Sequence, residues 1–200
     1  MLTMKFLQKS ICFVAMVCLI AACGGTGGGS AAPVALNLTG FEQIDLGGGA
    51  VKAIKKNAAG KIIEEGILIS GKKNGTWMTY FEDKDDRIKT MASYVNDNLN
   101  GQFLTFSNRG QIETQTSYVN GQYDGVYTKY RFGNVEETAI YRNGIMEGTF
   151  KQFYNNNKIK LEAQYQNGKQ HGSYKYYDEE GNVMMEYEYA NGEKVSGGLK

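Results

Sequence analysis

The side chains able to do chemistry in this chain of 200 residues are few and far apart. His171 is the only histidine, and the three cysteines, Cys12, Cys18 and Cys23, all fall near the start. Past Cys23 there is no thiol and no second imidazole, so one chain offers neither a soft-metal ligand set nor a Cys-His nucleophile pair. His171 occupies a recurring slot that elsewhere holds Asn74, Asn100, Asp124 and Glu147, which makes it a polar turn-flanking variant. The run Asp83-Lys84-Asp85-Asp86 has the acid density of a calcium loop. A helix-loop-helix calcium site needs glycine at the sixth position and a carboxylate at the twelfth, and counting from Asp83 gives Ile88 and Tyr94, so a solvated turn is expected. A carboxylate pair for glycoside hydrolysis could be drawn from Asp124 and Glu147, but one acid would have to be desolvated, and a periodic acid at a turn edge is not. The glycine runs at 24–29 and 47–49 lack a Lys-Ser/Thr partner and a following helix, so they form no phosphate cradle. No catalytic residue, metal or cofactor is expected, and the chain reads as a non-enzyme.

What positions these residues is a repeat. Inner glycines stand at Gly75, Gly101, Gly125, Gly148 and Gly172, in steps of 26, 24, 23 and 24 residues. Two residues after each comes Trp77, Phe103, Tyr127, Phe150 or Tyr174, and five after each comes Tyr80, Phe106, Tyr130, Phe153 or Tyr177. Later in each copy Ile88, Ile112, Val135, Ile159 and Val183 precede, by six residues, a closing Tyr94, Tyr118, Tyr141, Tyr165 or Tyr189. A fixed period of this size marks an array of supersecondary units, none of which can bury its apolar face alone. Residues 41–70 fit the template weakly, with Gly49, Val51, Ile54, Gly60, Ile62 and Leu68 at the corresponding positions, as suits a degenerate capping copy.

Each copy reads as two strands. Asn-Gly at Asn120, Asn143, Asn167 and Asn191 is a strong hairpin signal, because a type I′ turn needs positive φ at both central residues. Asn96-Asp97 lacks the glycine and is the least secure link. Looser second turns fall at 83–87, 107–111, 133–134, 155–158 and 178–182, and no proline interrupts the strands. The expected fold is all-β, an elongated antiparallel meander of hairpins with about twelve strands. A two-residue turn at Asn120-Gly121 would pair Tyr118 with Tyr123 and Thr116 with Gly125. Bringing both aromatics of a copy to one face would then take a one-residue bulge between them.

The first residues read as a secretory signal: Lys5 and Lys9, an apolar stretch at 11–20 too short to span a bilayer, and the small residues Ala21-Ala22 before Cys23. Ile20-Ala21-Ala22-Cys23 resembles the lipobox of bacterial lipoproteins, which implies lipidation of Cys23, anchorage of the chain to a membrane and residence in the bacterial envelope. Gly24 after the cysteine implies, by proteobacterial sorting, the outer membrane. Domains follow as 1–22 signal peptide, 23–40 lipidated cysteine and Gly/Ser-rich linker, 41–70 capping repeat, 71–190 five hairpin repeats and 191–200 a partial repeat that caps or frays. Without residues 1–22 the chain is near neutral, so no footprint for nucleic acid stands out.

The pattern Asn-Gly-x-x-x-Gly-x-aromatic-x-x-aromatic, a turn, then an aliphatic and a closing Tyr, resembles the MORN repeat variant. Proteins built from it are often labelled as antitoxins of YwqK type. The resemblance implies a hairpin array; an antitoxin or immunity role is what the label implies, and a cytoplasmic antitoxin would carry no export signal. Tyrosine gives rigid contact area at low entropy cost, so the aromatic stripe is the candidate packing and binding surface, for an envelope protein or for a peptide or glycan. Sheet edges at both ends could pair with another copy.

Overall fold

In the computed structural model the described residues are 40–83 and 86–200, and they form strands and turns with no helix among them. The signal at 1–22, Cys23, the linker up to residue 39, and Lys84 and Asp85 of the acidic turn lie outside the described residues. Those described belong to the unit Pro33–Lys200. The strands are β1 Phe41–Gly47, β2 Ala50–Lys56, β3 Ile62–Ile69, β4 Lys72–Tyr80, β5 Ile88–Val95, β6 Asn98–Phe106, β7 Ile112–Val119, β8 Gln122–Tyr123, β9 Gly125–Arg131, β10 Asn134–Arg142, β11 Ile145–Met146, β12 Gly148–Phe153, β13 Ile159–Gln166, β14 Lys169–Tyr177, β15 Val183–Ala190 and β16 Glu193–Leu199.

Their order in space is their order in the chain, in one antiparallel meander with β1 and β16 at its edges. The short β8 and β11 pair with β7 and β10 just ahead of β9 and β12, so fourteen strands make up the main path. The two beyond the expected dozen are β1, at the start of the stretch 41–70 and ahead of its inner Gly49, and β16, within residues 191–200, which pairs along its whole length with β15.

The two-residue turns form as their chemistry requires. Positive φ occurs at both central residues of Asn120-Gly121, Asn143-Gly144, Asn167-Gly168 and Asn191-Gly192, and equally at Ser70-Gly71 and Asn96-Asp97. The Asn96-Asp97 link is not weakened by its missing glycine. Asp97 takes φ of 71°, and its Oδ1 accepts the Lys73 backbone N–H at 2.7 Å. The turns also dock on one another: the N–H groups of Gly121, Gly144, Gly168 and Gly192 donate to the carbonyls of Leu99, Tyr123, Met146 and Gln170. The looser turns are closed by their own side chains, as where Asn57 Oδ1 accepts from Ala59 and Lys61 and Asp178 Oδ1 from Gly181 and Asn182. One differs. Between β9 and β10 the turn is Phe132-Gly133, one residue earlier than expected, with both residues at positive φ.

The bulges lie elsewhere than expected. Between the two aromatics of a copy the strand runs on without a break, and the extra residue sits on its partner, at Lys89, Glu113, Glu136, Lys160 and Met184. A second irregularity falls at the inner glycine. Tyr118 pairs with Tyr123 as expected, but Gln115 then pairs with Thr128, so two extra residues bulge out around Gly125, and Thr116 does not meet Gly125. Gly125 has φ of 108°, in the left-handed region where a side chain is strained, and that is why the position is glycine. Successive side chains alternate across a strand, so the two aromatics of each copy, three residues apart on an unbroken strand, face opposite ways.

Candidate functional site

The first aromatic of each copy and the closing tyrosine make one face. Across the sheet Trp77 pairs with Ala92, Ala92 with Phe103, Phe103 with Thr116, Tyr127 with Ala139, Phe150 with Ala163, and Ala163 with Tyr174. Large and small residues therefore alternate along a row one residue wide, and this row carries most of the core, with Leu68 and Ile54 buried outside it near β1. Ala139 and Ala163 are each only 1% exposed, with Thr116, Phe150 and Tyr174 also buried. A ring lies over the methyl beside it, so the row closes without a second layer. Around Tyr127 the rings of Tyr118, Tyr123 and Tyr141 stand 4.7 to 6.5 Å apart between neighbours, in tilted and edge-to-face poses. Phe103 meets Tyr118, Phe150 meets Tyr165, and Tyr174 meets Tyr189 in the same way. Tyr94 packs on the Trp77 cluster at the other end.

Of the candidate stripe, Trp77, Tyr94, Phe103, Tyr118, Tyr127, Tyr141, Phe150, Tyr165, Tyr174 and Tyr189 are thus brought together. Tyr80, Phe106, Tyr130, Phe153 and Tyr177 are not; they face the other way. Tyr80 Oη donates to Glu65 Oε1 at 2.6 Å, and Tyr130 Oη to Gln115 Oε1 at 3.4 Å. On that opposite face Met78, Met91 and Leu104 pair in series near one end of the sheet. Towards the other end Lys151, Glu162, Lys175 and Glu186 alternate in sign, with ion pairs of 3.3 and 3.4 Å. Exposed pairs of this kind add little stability each.

At the middle of the tyrosine face sits a buried carboxylate, Glu137, to which composition and period gave no special weight. It pairs with Lys129 on one side and Gln152 on the other, and Gln152 Nε2 donates to its Oε2 at 3.1 Å. Burial raises its pKa above the ordinary glutamate value, against the amide hydrogen bond and the Lys129 charge, which lower it. Burial and then the Glu137 charge push Tyr127 up to about 12, and burial raises Tyr165 as well. The signal available in the sequence was the frame itself: Glu137 lies two residues before Ala139 and four before closing Tyr141, where other copies carry Thr90, Thr114, Leu161 and Met185.

The slot before the inner glycine proves to be a clamp between turns. Asn74 Oδ1 accepts the Asn96 N–H at 3.2 Å, Asp124 Oδ2 that of Asn143 at 3.1 Å, Glu147 Oε2 that of Asn167 at 2.7 Å, and His171 Nδ1 that of Asn191 at 3.4 Å. Each side chain holds the next hairpin turn. Asp124 and Glu147 therefore sit at turns, apart from the buried Glu137. Among the described residues no three His, Cys, Asp or Glu side chains gather closely enough to hold a metal.

Fold and face together define a repeat protein built of hairpins, with the properties of a binding module. The MORN repeat variant is the family whose model matches, at residues 146–167 and 170–191, so two copies of that repeat stand in the chain. The same bulges and antiparallel pairing extend over residues 71–142, with different turns at Asn96-Asp97 and Phe132-Gly133. No curated protein matches the chain. Among solved structures it is similar to a mutant of TarM from S. aureus in complex with fondaparinux, alpha-GlcNAc-glycerol and UDP. The likeness has 10% identity and a TM-score of 0.29, and it covers 80% of this chain and 22% of that one. At that score it bears on neither fold nor activity.

Proposed function

We propose that the protein is a non-enzymatic repeat lipoprotein of the bacterial envelope, held to a membrane through Cys23, that docks a protein partner on its tyrosine face. The observation supporting this is a single-layer sheet whose buried residues lie mostly in one row. Rings such as Tyr123, Tyr127 and Tyr141 remain partly exposed, and no second layer covers them among the described residues. Rigid amphipathic rings at fixed spacing suit protein recognition, because little rotamer freedom is lost when they are covered.

A structure-preserving test places a photo-crosslinking phenylalanine analogue at Tyr123, in intact cells, and the same analogue at the exposed Val126 on the opposite face. One discrete protein adduct from Tyr123 and none from Val126 is the expected result. A glycan adduct from Tyr123 would replace the protein partner by a wall ligand, a small toxin protein would turn the reading to immunity, and no adduct at all would overturn it. The anchor is checked by metabolic labelling with a clickable fatty acid, which Cys23→Ala should abolish.

A further inference from the structure

The period is shortest at one place, and a groove lies beside it. Where other copies use a second turn of five residues, or of seven at 81–87, β9 and β10 are joined by Phe132-Gly133 alone. The missing residues leave a notch beside the turn at Ser107–Gln111. It is about 310 Å³ in volume and is lined by that turn with Ile112, Glu113, Tyr130, Arg131 and Phe132. Phe132 is the anomaly in it. It holds φ of 51°, a conformation that costs a bulky residue energy, and it is 79% exposed, so burial gives nothing in return. Asn96, Asn120, Asn143, Asn167 and Asn191 fill that position without this penalty. Backbone strain of this kind at a non-glycine residue clusters at functional sites.

The other groups narrow what would use it. Arg109 lies in the lining and has no ion-pair partner among the described residues, whereas Arg131 is engaged with Glu136. Arg87 donates to the Asn108 carbonyl and fixes the turn, and Ser107 Oγ accepts from the Arg109 and Gln111 N–H groups. The backbone groups of this turn are therefore largely engaged within it, which leaves a wall of Ile112, Tyr130 and Phe132 beside Arg109, the lining cation without an ion pair among the described residues. An extended acidic peptide needs what is present: apolar contact for one side chain, and a guanidinium for the carboxylate of its neighbour. Glu113, exposed on the same lining, opposes a long run of acids and favours a single carboxylate flanked by apolar residues.

We propose that the notch at Phe132 binds an acidic, partly apolar peptide segment of a protein partner, with its carboxylate on Arg109 and an aliphatic side chain against Phe132 and Ile112. This site is on the face opposite Tyr123 and is separate from the tyrosine-face docking proposed above. The probe is a blocked, dye-labelled peptide of alternating Glu and Leu, titrated against the folded chain, with Gln/Leu and pentauronate controls. Expected are a Kd at or below about 1 mM and amide shifts confined to residues 107–113 and 130–132. Arg109→Gln should weaken binding by about tenfold or more. Phe132→Asn should weaken it similarly while raising the melting temperature, a combination that a purely structural role for Phe132 would not produce. Saturable binding that survives both variants, equal binding of the Gln/Leu peptide, tighter binding of the pentauronate, or no binding would each overturn the proposal. Crosslinking from Tyr123 can fail with this binding intact, so the two readings are tested separately.

Discussion

Gly66 is the most telling residue of the core row, because its lack of a side chain has a geometric cause that can be tested. It sits between Ala53 and the indole of Trp77, and a Cβ built on it would lie 2.2 to 2.4 Å from three ring atoms of Trp77. Trp77 cannot simply turn aside. It is 2% exposed, its Nε1 donates to the Ile67 carbonyl at 3.0 Å, and Lys73 Nζ sits 4.0 Å above its ring. Gly66→Ala must therefore push the indole out of its site. Overpacking costs about 1–3 kcal/mol and a lost part-buried hydrogen bond about 1 kcal/mol, so a loss of about 2–4 kcal/mol is expected.

The sign should change when the tryptophan is removed. At Ala92 beside Phe103 and Ala163 beside Phe150 the chain already seats a methyl next to a six-membered ring, and Phe lacks the Nε1 bond that holds Trp77 flat over Gly66. In a Trp77→Phe background Gly66→Ala should be neutral, or stabilise by about 0.5 kcal/mol, because glycine weakens a strand interior. The double-mutant cycle then shows a coupling of about 2 kcal/mol or more, read by urea denaturation followed by far-UV circular dichroism. Amide exchange in β3 and β4 should rise in the Gly66→Ala single variant and fall back in the double. Equal costs in both backgrounds, within about 0.5 kcal/mol, would refute the alternation of large and small residues as the basis of the core.

Two further outcomes follow from single side chains. Glu137 has its pKa raised in the fold, so the folded state binds the proton more tightly than the unfolded chain; stability falls as pH rises from the ordinary value of 4.5 through the raised one, and the penalty persists above it. Glu137→Gln should therefore be the more stable form at neutral pH and flatten that part of the profile, measured as melting temperature against pH. Glu147→Ala removes the acceptor of the Asn167 N–H and should cost about 1 kcal/mol, with faster exchange at the Asn167 amide and little change at Asn143, whose clamp is Asp124.

Turn chemistry was the most legible part of the chain. Asn-Gly forces its own backbone, so the hairpins, their order and the pairing of Tyr118 with Tyr123 could all be read from local residues. The faces could not, since they depend on where an extra residue is absorbed. Spacing shows that one is needed but not which strand takes it, and Glu113 and Lys89 carry no mark of the role. The small members of the core row were legible in principle: Ala92, Thr116, Ala139 and Ala163 each stand two residues before a closing tyrosine. Aromatics draw the eye, and only the pairing shows that a ring is buried by its small neighbour. Phe132 was obscured by the glycine after it, which places the turn equally well one residue later.

The same row changes character towards both edges of the described sheet. In the last copy the small position is taken by Tyr187, whose ring stands 5.9 Å from that of Tyr174, so large meets large and the alternation stops. The next position is Gly197, where a Cβ would fall 2.1 Å from the Glu186 carbonyl oxygen and 2.7 Å from the Tyr187 Cα, so no side chain can continue the row there. At the other end Ala53 and Gly66 are both small, and the space over them is filled from β1, by Phe41 edge-on to Trp77 at 6.1 Å. The two edges therefore differ, with an excess of rings at one and a ring borrowed from the first strand at the other. A strand laid against β16 would meet Gly197 where the row elsewhere presents a methyl or a ring, so it would have to bring its own packing to that position.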